Sequence, residues 1–185
     1  MDSIFYANKG FQVSPLSMTA ICKKSLAFRL LNDKYIDKNG CLDIIKVLEY
    51  EYGKFFVVNN EDLNGCYAKT DSAGYITISV STYEGACNGC GRSRFTIAHE
   101  LGHCLLHIGQ IGFAREANQD IKVFENSEWQ ANEFAAQALF PFYLVKKYLY
   151  MPQDEIANIL MISKDCVRIR IDKFNKYSYL SNLAR

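Results

Sequence analysis

The chain has 185 residues, of which 49% are hydrophobic and 22% charged, and its formal net charge is +1. This composition is typical of a globular protein and excludes a disordered chain, which has few aromatic residues and a high net charge. A net charge so close to zero gives no overall attraction to nucleic acid or to an anionic membrane.

The seven cysteines are scattered along the chain and odd in number, which does not suit a secreted disulfide framework. The first residues lack the basic region and apolar run of a signal peptide. No run of 18 apolar residues predicts a membrane-spanning helix. We therefore expect a cytoplasmic protein with reduced thiols and no membrane association.

Apolar residues at helical or alternating spacing predict the secondary structure in chain order. The predicted elements are helices over 16–32 (starting at Ser14-Pro15) and 41–51, a buried strand over 55–58, a half-buried strand over 75–80, a loop over 84–93, helices over 95–108 and 127–140, and two short helices within 152–175. Helices, then strands, then helices indicate an α+β fold. We expect one domain over residues 1–150 and a short helical segment over 151–185 packed on it.

The sequence His99-Glu100-Leu101-Gly102-His103 predicts a metal site. Residues four apart on a helix share a face, so the imidazoles of His99 and His103 can reach one Zn²⁺ at about 2.0–2.1 Å. Glu100 lies on the flank of that face, where it can take a proton from the water that a zinc ion activates. The pattern is therefore typical of a zinc metallopeptidase.

All three histidines of the chain lie on this helix, and His107 is the last of them. On a straight helix His107 is roughly 12 Å from the level of His99, so we expect it to support the ligands or end the helix rather than bind the ion. The metzincin spacing would need Gly at 106 and His at 109, and the chain has Leu106 and Gly109. The alternative, two histidines buried without a metal, would need other partners for four ring nitrogens.

A third protein ligand is expected from a carboxylate on the following helix, because a catalytic zinc site has three protein ligands and one open position. The candidates are Glu116, Asp120, Glu125, Glu128 and Glu133. We favour Glu128, with Glu133 next, because Asn132 shares the face of Glu128 and could hydrogen-bond a ligand histidine. Alternatively, Glu128 is only a first-turn acid that favours the helix dipole, beside a capping box of Ser127 and Gln130.

Two segments, RSRFTIAHELGHCLLH (92–107) and EWQANEFAAQALFP (128–141), resemble the signature helices of the ImmA/IrrE family of metallopeptidases of phages and mobile elements. The order of elements over 40–175 is similar too. The second signature reads E-x-x-A-N-x-F-A-x-x-L-x-x-P, which places Glu128 at the third-ligand position and Asn132 at a supporting one. Gln130 stands where the family commonly has an acidic residue.

The resemblance implies a small zincin-like domain: a short mixed or antiparallel sheet, an HExxH active-site helix and a following ligand helix. It also implies limited proteolysis of helix-turn-helix repressors. We therefore expect a zinc-dependent endopeptidase whose partner is a transcriptional repressor. The alternative is a non-catalytic, zinc-containing regulatory protein that binds a repressor or DNA.

Substrate contacts are less well specified by the sequence. The strand over 75–80 could be a sheet edge to which a peptide adds. A donor for the oxyanion must exist if turnover is fast, and Tyr143, Tyr148 and Arg94 are candidates that the sequence does not rank.

Two further patterns have a structural reading that we prefer. Cys87 and Cys90 could be half of a metal site or a redox pair, but no second CxxC exists, and two loop thiols are the simpler interpretation. Residues 155–171 resemble a helix-turn-helix, with Ala157 in the first helix and Ser163 as the cap of the second. The apolar residues of the second helix, which we expect to pack, are Val167, Ile169 and Ile171. The basic residues that could contact phosphates are Lys164, Arg168 and Arg170. We expect this segment to complete the core rather than to bind nucleic acid.

Overall fold

The computed structural model describes residues 10–110 and 121–184. Within these ranges helices surround a small sheet. The helices are α1 (Met18–Leu31), α2 (Ile44–Lys46, continued by a π-helical stretch over Val47–Tyr52), α3 (Val80–Cys87), α4 (Gly91–His107), α5 (Ser127–Leu139), α6 (Phe142–Tyr148), α7 (Gln153–Leu160) and α8 (Lys164–Tyr177), and the strands are β1 (Phe55–Val58), β2 (Ala68–Thr70) and β3 (Ile76–Ser79). None of these helices is long and apolar enough to cross a membrane.

The sheet is mixed, with strand order β1-β3-β2. β1 runs parallel to β3, with Phe55 opposite Ile76, and β2 runs antiparallel to it, with Ala68 opposite Ile78. Ile76 and Ile78 are fully buried, which confirms the alternating pattern that predicted this strand. The expectation that it forms a sheet edge is wrong, because β3 pairs on both sides.

Two local predictions fail for identifiable reasons. Residues 84–93 are not one loop: Ser79 caps α3 by accepting a hydrogen bond from the Thr82 amide, and α3 continues to Cys87 before a short turn into α4. Strand β1 is not buried, since it lies at an edge of the sheet, where Phe56 is 56% exposed.

Helix caps also differ from the predicted ones. Ser17, rather than Ser14-Pro15, starts α1 by accepting from the Ala20 amide. Asn126, rather than Ser127, caps α5 by accepting from the Trp129 amide at 3.0 Å. Ser127 Oγ instead accepts from the Phe11 amide at 2.9 Å, which ties the N-terminal segment to the start of α5.

Helix α4 packs closely on α5 because both present small residues at the contact. A Cβ atom on Gly102 would lie 3.2 Å from the carbonyl oxygen of Ala131 and 3.2 Å from Cδ1 of Phe134. Ala131, Ala135 and Ala138 are all fully buried. The first turn of α5 therefore lies close to the middle of α4.

The C-terminal helices complete the core, as expected. Arg170 on α8 is 1% exposed, donates from Nε to the Phe140 carbonyl at 3.0 Å and lies 4.0 Å over the Phe142 ring. Ser163 caps α8 as predicted, and Val167 is fully buried. Ile169, which we expected to pack, is 42% exposed. The division of the chain at residue 150 stays a prediction.

Replacing Gly102 with Val should push α4 and α5 apart, because its added atoms have no room beside Ala131. We expect the free energy of unfolding, measured by urea denaturation, to fall by about 1–3 kcal/mol, the usual cost of overpacking. Leu105→Val is the matched control, since it places the same β-branched residue at a half-exposed position of α4. Equal stability of both variants would contradict the close contact.

Candidate metal centre

Three potential ligands converge between α4 and α5. His99 and His103 lie one turn apart on α4, and their Nε2 atoms are 3.0 Å apart. Glu128, in the first turn of α5, places Oε2 3.3 Å from His99 Nε2 and Oε1 3.2 Å from His103 Nε2. Among the described residues, these three form the group of histidine, cysteine and acidic side chains suited to hold a metal ion.

The donor set and its spacing fit a metal ion. Tetrahedral ligands at about 2.0–2.1 Å from zinc are roughly 3.3–3.4 Å apart, close to the distances between these three side chains. The side chains of His99, His103 and Glu128 are 15%, 17% and 21% exposed, so they are shielded but open on one side. Two imidazoles and one carboxylate with an open side are the donor set of a catalytic rather than a structural zinc site.

Asn132 orients His99. Its Oδ1 lies 3.0 Å from His99 Nδ1, the ring nitrogen that faces away from Glu128. An amide oxygen can only accept, so His99 carries a proton on Nδ1, and Nε2 is the ring nitrogen that faces Glu128 and could bind a metal ion. Asn132 therefore lies where the sequence predicted a supporting residue.

The charges at the centre stabilise an anionic Glu128. Burial alone would raise the pKa of Glu128, but hydrogen bonds with His103 and His99 outweigh it and hold that pKa well below its usual range. Burial alone would likewise lower the pKa of His99, and the hydrogen bond with Glu128 and the charge of Glu100 raise it instead. The carboxylate is thus ionised, as a metal ligand must be.

Glu100 lies beside these ligands and is held by a residue that the sequence did not single out. Thr70, at the end of β2, donates from Oγ1 to Glu100 Oε2 at 2.6 Å. The contact holds one carboxylate oxygen of Glu100, whose side chain is buried and lines the cleft beside the histidines. A three-residue strand carries too short a pattern to be read from sequence, so only the fold reveals Thr70.

His107 lies next to His103 rather than in the ligand set. Its Nδ1 is 3.0 Å from His103 Nδ1, and its Nε2 is 3.0 Å from Gln130 Oε1 on α5. Burial, together with the charge of His103, lowers the pKa of His107 to about 4. His107 is therefore neutral near pH 7 and contacts a potential ligand from behind, as the spacing predicted.

A cleft of about 370 Å³ opens over the centre. Strand β2 lines one part of it through Ala68, Lys69 and Thr70, and the N-terminal segment contributes Phe11 and Val13. A backbone hydrogen bond from Val13 to the Glu125 carbonyl, at 2.8 Å, holds that segment against the chain before α5. The cleft therefore offers an extended, partly apolar surface beside the three potential ligands.

The other candidate third ligands lie elsewhere. Glu133, our second choice, faces α8, where it pairs with Lys173 and lies 3.9 Å from Arg170. The Glu125 carboxylate accepts a hydrogen bond from the side-chain amide of Gln12 at 3.0 Å. Glu116 and Asp120 fall outside the described residues.

None of the three candidate oxyanion donors reaches the cleft, so that expectation is wrong. The Arg94 guanidinium is buried and donates to the carbonyls of Leu42 and Met161, at 2.5 and 3.1 Å. Tyr143 accepts from Arg29 at 3.2 Å, and Tyr148 donates to the Asn39 carbonyl at 2.7 Å. All three side chains stabilise the fold on other surfaces.

Cys87 and Cys90 carry free, exposed thiols at the end of α3 and the start of α4. In the part of the chain that the structure describes, they belong to no group of side chains suited to hold a metal ion.

Replacing Glu128 with Gln removes a charged ligand atom while keeping the side-chain shape. We expect Zn²⁺ affinity, measured by competition with a chromophoric chelator, to fall more than the roughly 10–100-fold lost when only a supporting residue is changed. The control is Glu125→Gln, which alters a partly buried carboxylate that is not among the residues lining the cleft. Equal affinities of the two variants would exclude Glu128 as a ligand.

The comparison with protein families covers the part of the chain that holds this centre. Residues 85–171 match the Peptidase_M78 model, described as the IrrE N-terminal-like domain. Neither the curated proteins nor the solved structures gave a match to the chain. The matched range includes all three potential ligands and Glu100, whereas Thr70 lies outside it. The match shows that residues 85–171 are similar to the IrrE N-terminal-like domain, and it supports the resemblance of the chain to the ImmA/IrrE peptidase family.

Proposed function

We propose that the protein is a zinc-dependent endopeptidase that cuts a helix-turn-helix repressor of a mobile element or stress regulon. The observation that carries the proposal is the convergence of His99, His103 and Glu128 beside Glu100 at one open cleft. The similarity of residues 85–171 to a peptidase family model supports the same chemistry. Zinc is the metal that two imidazoles and a carboxylate with an open position favour.

Each side chain at the centre has a separate role in peptide hydrolysis. A bound zinc ion would supply Lewis acidity and bring the pKa of a water molecule toward 7. Glu100 accepts the proton of the attacking water and passes it to the leaving amine. Thr70 holds Glu100 Oε2 at 2.6 Å, so the carboxylate keeps one orientation and uses its other oxygen for the water. Asn132 keeps the ring of His99 fixed.

Strand β2, not β3, is the edge that a substrate peptide would extend. Ser79 donates its amide to the Tyr67 carbonyl at 3.0 Å, which makes this a hydrogen-bonded pair. Because such pairs alternate along antiparallel strands, the backbone groups of Ala68 and Thr70 point away from β3. Both residues line the cleft. An extended peptide paired with them would pass beside Glu100, which Thr70 contacts.

A transcriptional repressor is the partner we propose, as the family resemblance implies, and the cytoplasm is where the two would meet. A repressor segment must be extended or locally unfolded to pair with β2. We do not propose DNA as a partner of α7 and α8. Arg170 is buried, and the exposed Lys164 and Arg168 pair with acidic neighbours, at 2.7 Å for Lys164 with Asp154.

Replacing Glu100 with Gln should abolish cleavage while leaving zinc bound, because Glu100 is the base and not a ligand. We expect a loss in rate of about 10²–10⁴-fold, the usual contribution of a positioned base. The assay incubates the zinc-loaded protein with the repressor encoded beside it and follows one discrete, chelator-sensitive cut. Glu125→Gln serves as the control. Cleavage by the Glu100 variant at the wild-type rate would exclude this mechanism.

Replacing Ala68 with Pro removes one outward-facing amide without breaking a bond between β2 and β3. We expect KM for the protein substrate to rise about two- to tenfold, as the loss of one hydrogen bond of 0.5–1.5 kcal/mol implies. Zinc affinity should not change. Ala68→Ser keeps the amide and is the matched control. An unchanged KM in the Pro variant would exclude pairing along β2.

A further inference from the structure

The amide of Gln130 has its orientation fixed by two carbonyl groups. Gln130 is fully buried, and its Nε2 donates to the carbonyls of Ser14 and Phe124 at 2.9 and 2.8 Å. The amide nitrogen has two hydrogens, and both are used. The opposite orientation would set an oxygen against two oxygens, so Oε1 is the atom that faces His107.

That orientation determines which nitrogen of His107 carries the proton. Oε1 of Gln130 can only accept, and it lies 3.0 Å from His107 Nε2, so His107 donates from Nε2. A neutral imidazole then has an unprotonated Nδ1. This Nδ1 lies 3.0 Å from His103 Nδ1, so a hydrogen bond between these two atoms takes its proton from His103.

We propose that Gln130 and His107 are positioning residues that fix His103 with its proton on Nδ1 and its Nε2 lone pair directed at the metal centre. The chain of contacts runs from the two carbonyls through Gln130 and His107 to His103, and each link allows one direction of donation. The proposal rests on the proposed function only in taking His103 as a metal ligand.

The arrangement makes α5 the support of both ligand histidines. Asn132 accepts directly from His99 Nδ1, whereas Gln130 acts on His103 through one intervening ring. The glutamine also explains a departure from the family pattern, in which this position is commonly acidic. A carboxylate could accept from His107 but could not donate to Ser14 and Phe124. The glutamine does both, and it joins the N-terminal segment to the metal centre.

Two substitutions of similar size separate this role from packing. His107→Asn places an amide oxygen near the position of Nδ1, whereas His107→Leu removes every acceptor there. Both lose the contact with Gln130 Oε1, so their difference reports the bond to His103 alone. We expect zinc affinity, measured on the full chain by chelator competition, to be about 10–100-fold weaker in the Leu variant than in the Asn variant.

The zinc-loaded wild-type protein gives a second, independent readout by nitrogen-15 spectroscopy of the imidazole rings. We expect a proton on Nδ1 of His103 and on Nε2 of His107. Equal zinc affinity of the Asn and Leu variants, or a proton on Nδ1 of neutral His107, would overturn the proposal while leaving the metal centre intact. Failure of the wild-type chain to bind zinc would overturn the proposed function as well. If the Leu variant does not fold, the proton positions in the wild type decide.

Discussion

The contact between Gly102 and Ala131 is the one on which the metal centre depends. The two histidines lie on one helix, and any helix with this spacing would place them side by side. The third candidate ligand, Glu128, comes from another helix, α5. Because Gly102 has no side chain, α5 approaches α4 closely enough for Glu128 to lie 3.3 Å from His99 Nε2 and 3.2 Å from His103 Nε2. Close backbone packing thus converts a motif on one helix into a three-sided site.

Helix α5 also carries the polar side chains that hold the histidines of α4 in place. Glu128 faces both histidines, Asn132 faces the back of His99, and Gln130 faces His107. Each of these groups would be costly to bury without a partner. Their mutual satisfaction therefore favours one arrangement of the two helices. Thr70 restrains Glu100 by a hydrogen bond from β2. The same strand carries the backbone groups that we propose bind the substrate.

The sequence predicts the centre of this molecule better than its periphery, and the reason is physical. The spacing of His99 and His103 is a local property of one helix, so it does not depend on how the rest of the chain folds. Glu128 could be chosen over Glu133 because Asn132 shares its face, and the structure brings Glu128 to the histidines while Glu133 turns to α8. From the sequence, Gln130 was a capping-box candidate and a departure from the family pattern; its buried role was not predictable, since Ser14, one of its two carbonyl partners, is 116 residues away.

The features that could not be predicted from the sequence depend on contacts between residues that are far apart in the chain. No local pattern indicates that β3 pairs on both sides or that the three residues of β2 form one edge of the sheet. The prediction of Arg94 as an oxyanion donor was wrong for the same reason. Its guanidinium donates to the carbonyls of Leu42 and Met161, and both residues are far from Arg94 in the sequence. Thr70 likewise gains its role only when β2 packs against α4.

The central claim is that His99, His103 and Glu128 bind one zinc ion and leave a position open. X-ray absorption spectroscopy of the zinc-loaded chain tests it most directly. We expect one equivalent of zinc surrounded only by nitrogen and oxygen at about 2.0–2.1 Å. A sulfur neighbour at about 2.3 Å would place the ion on cysteine thiols instead and would contradict the assignment.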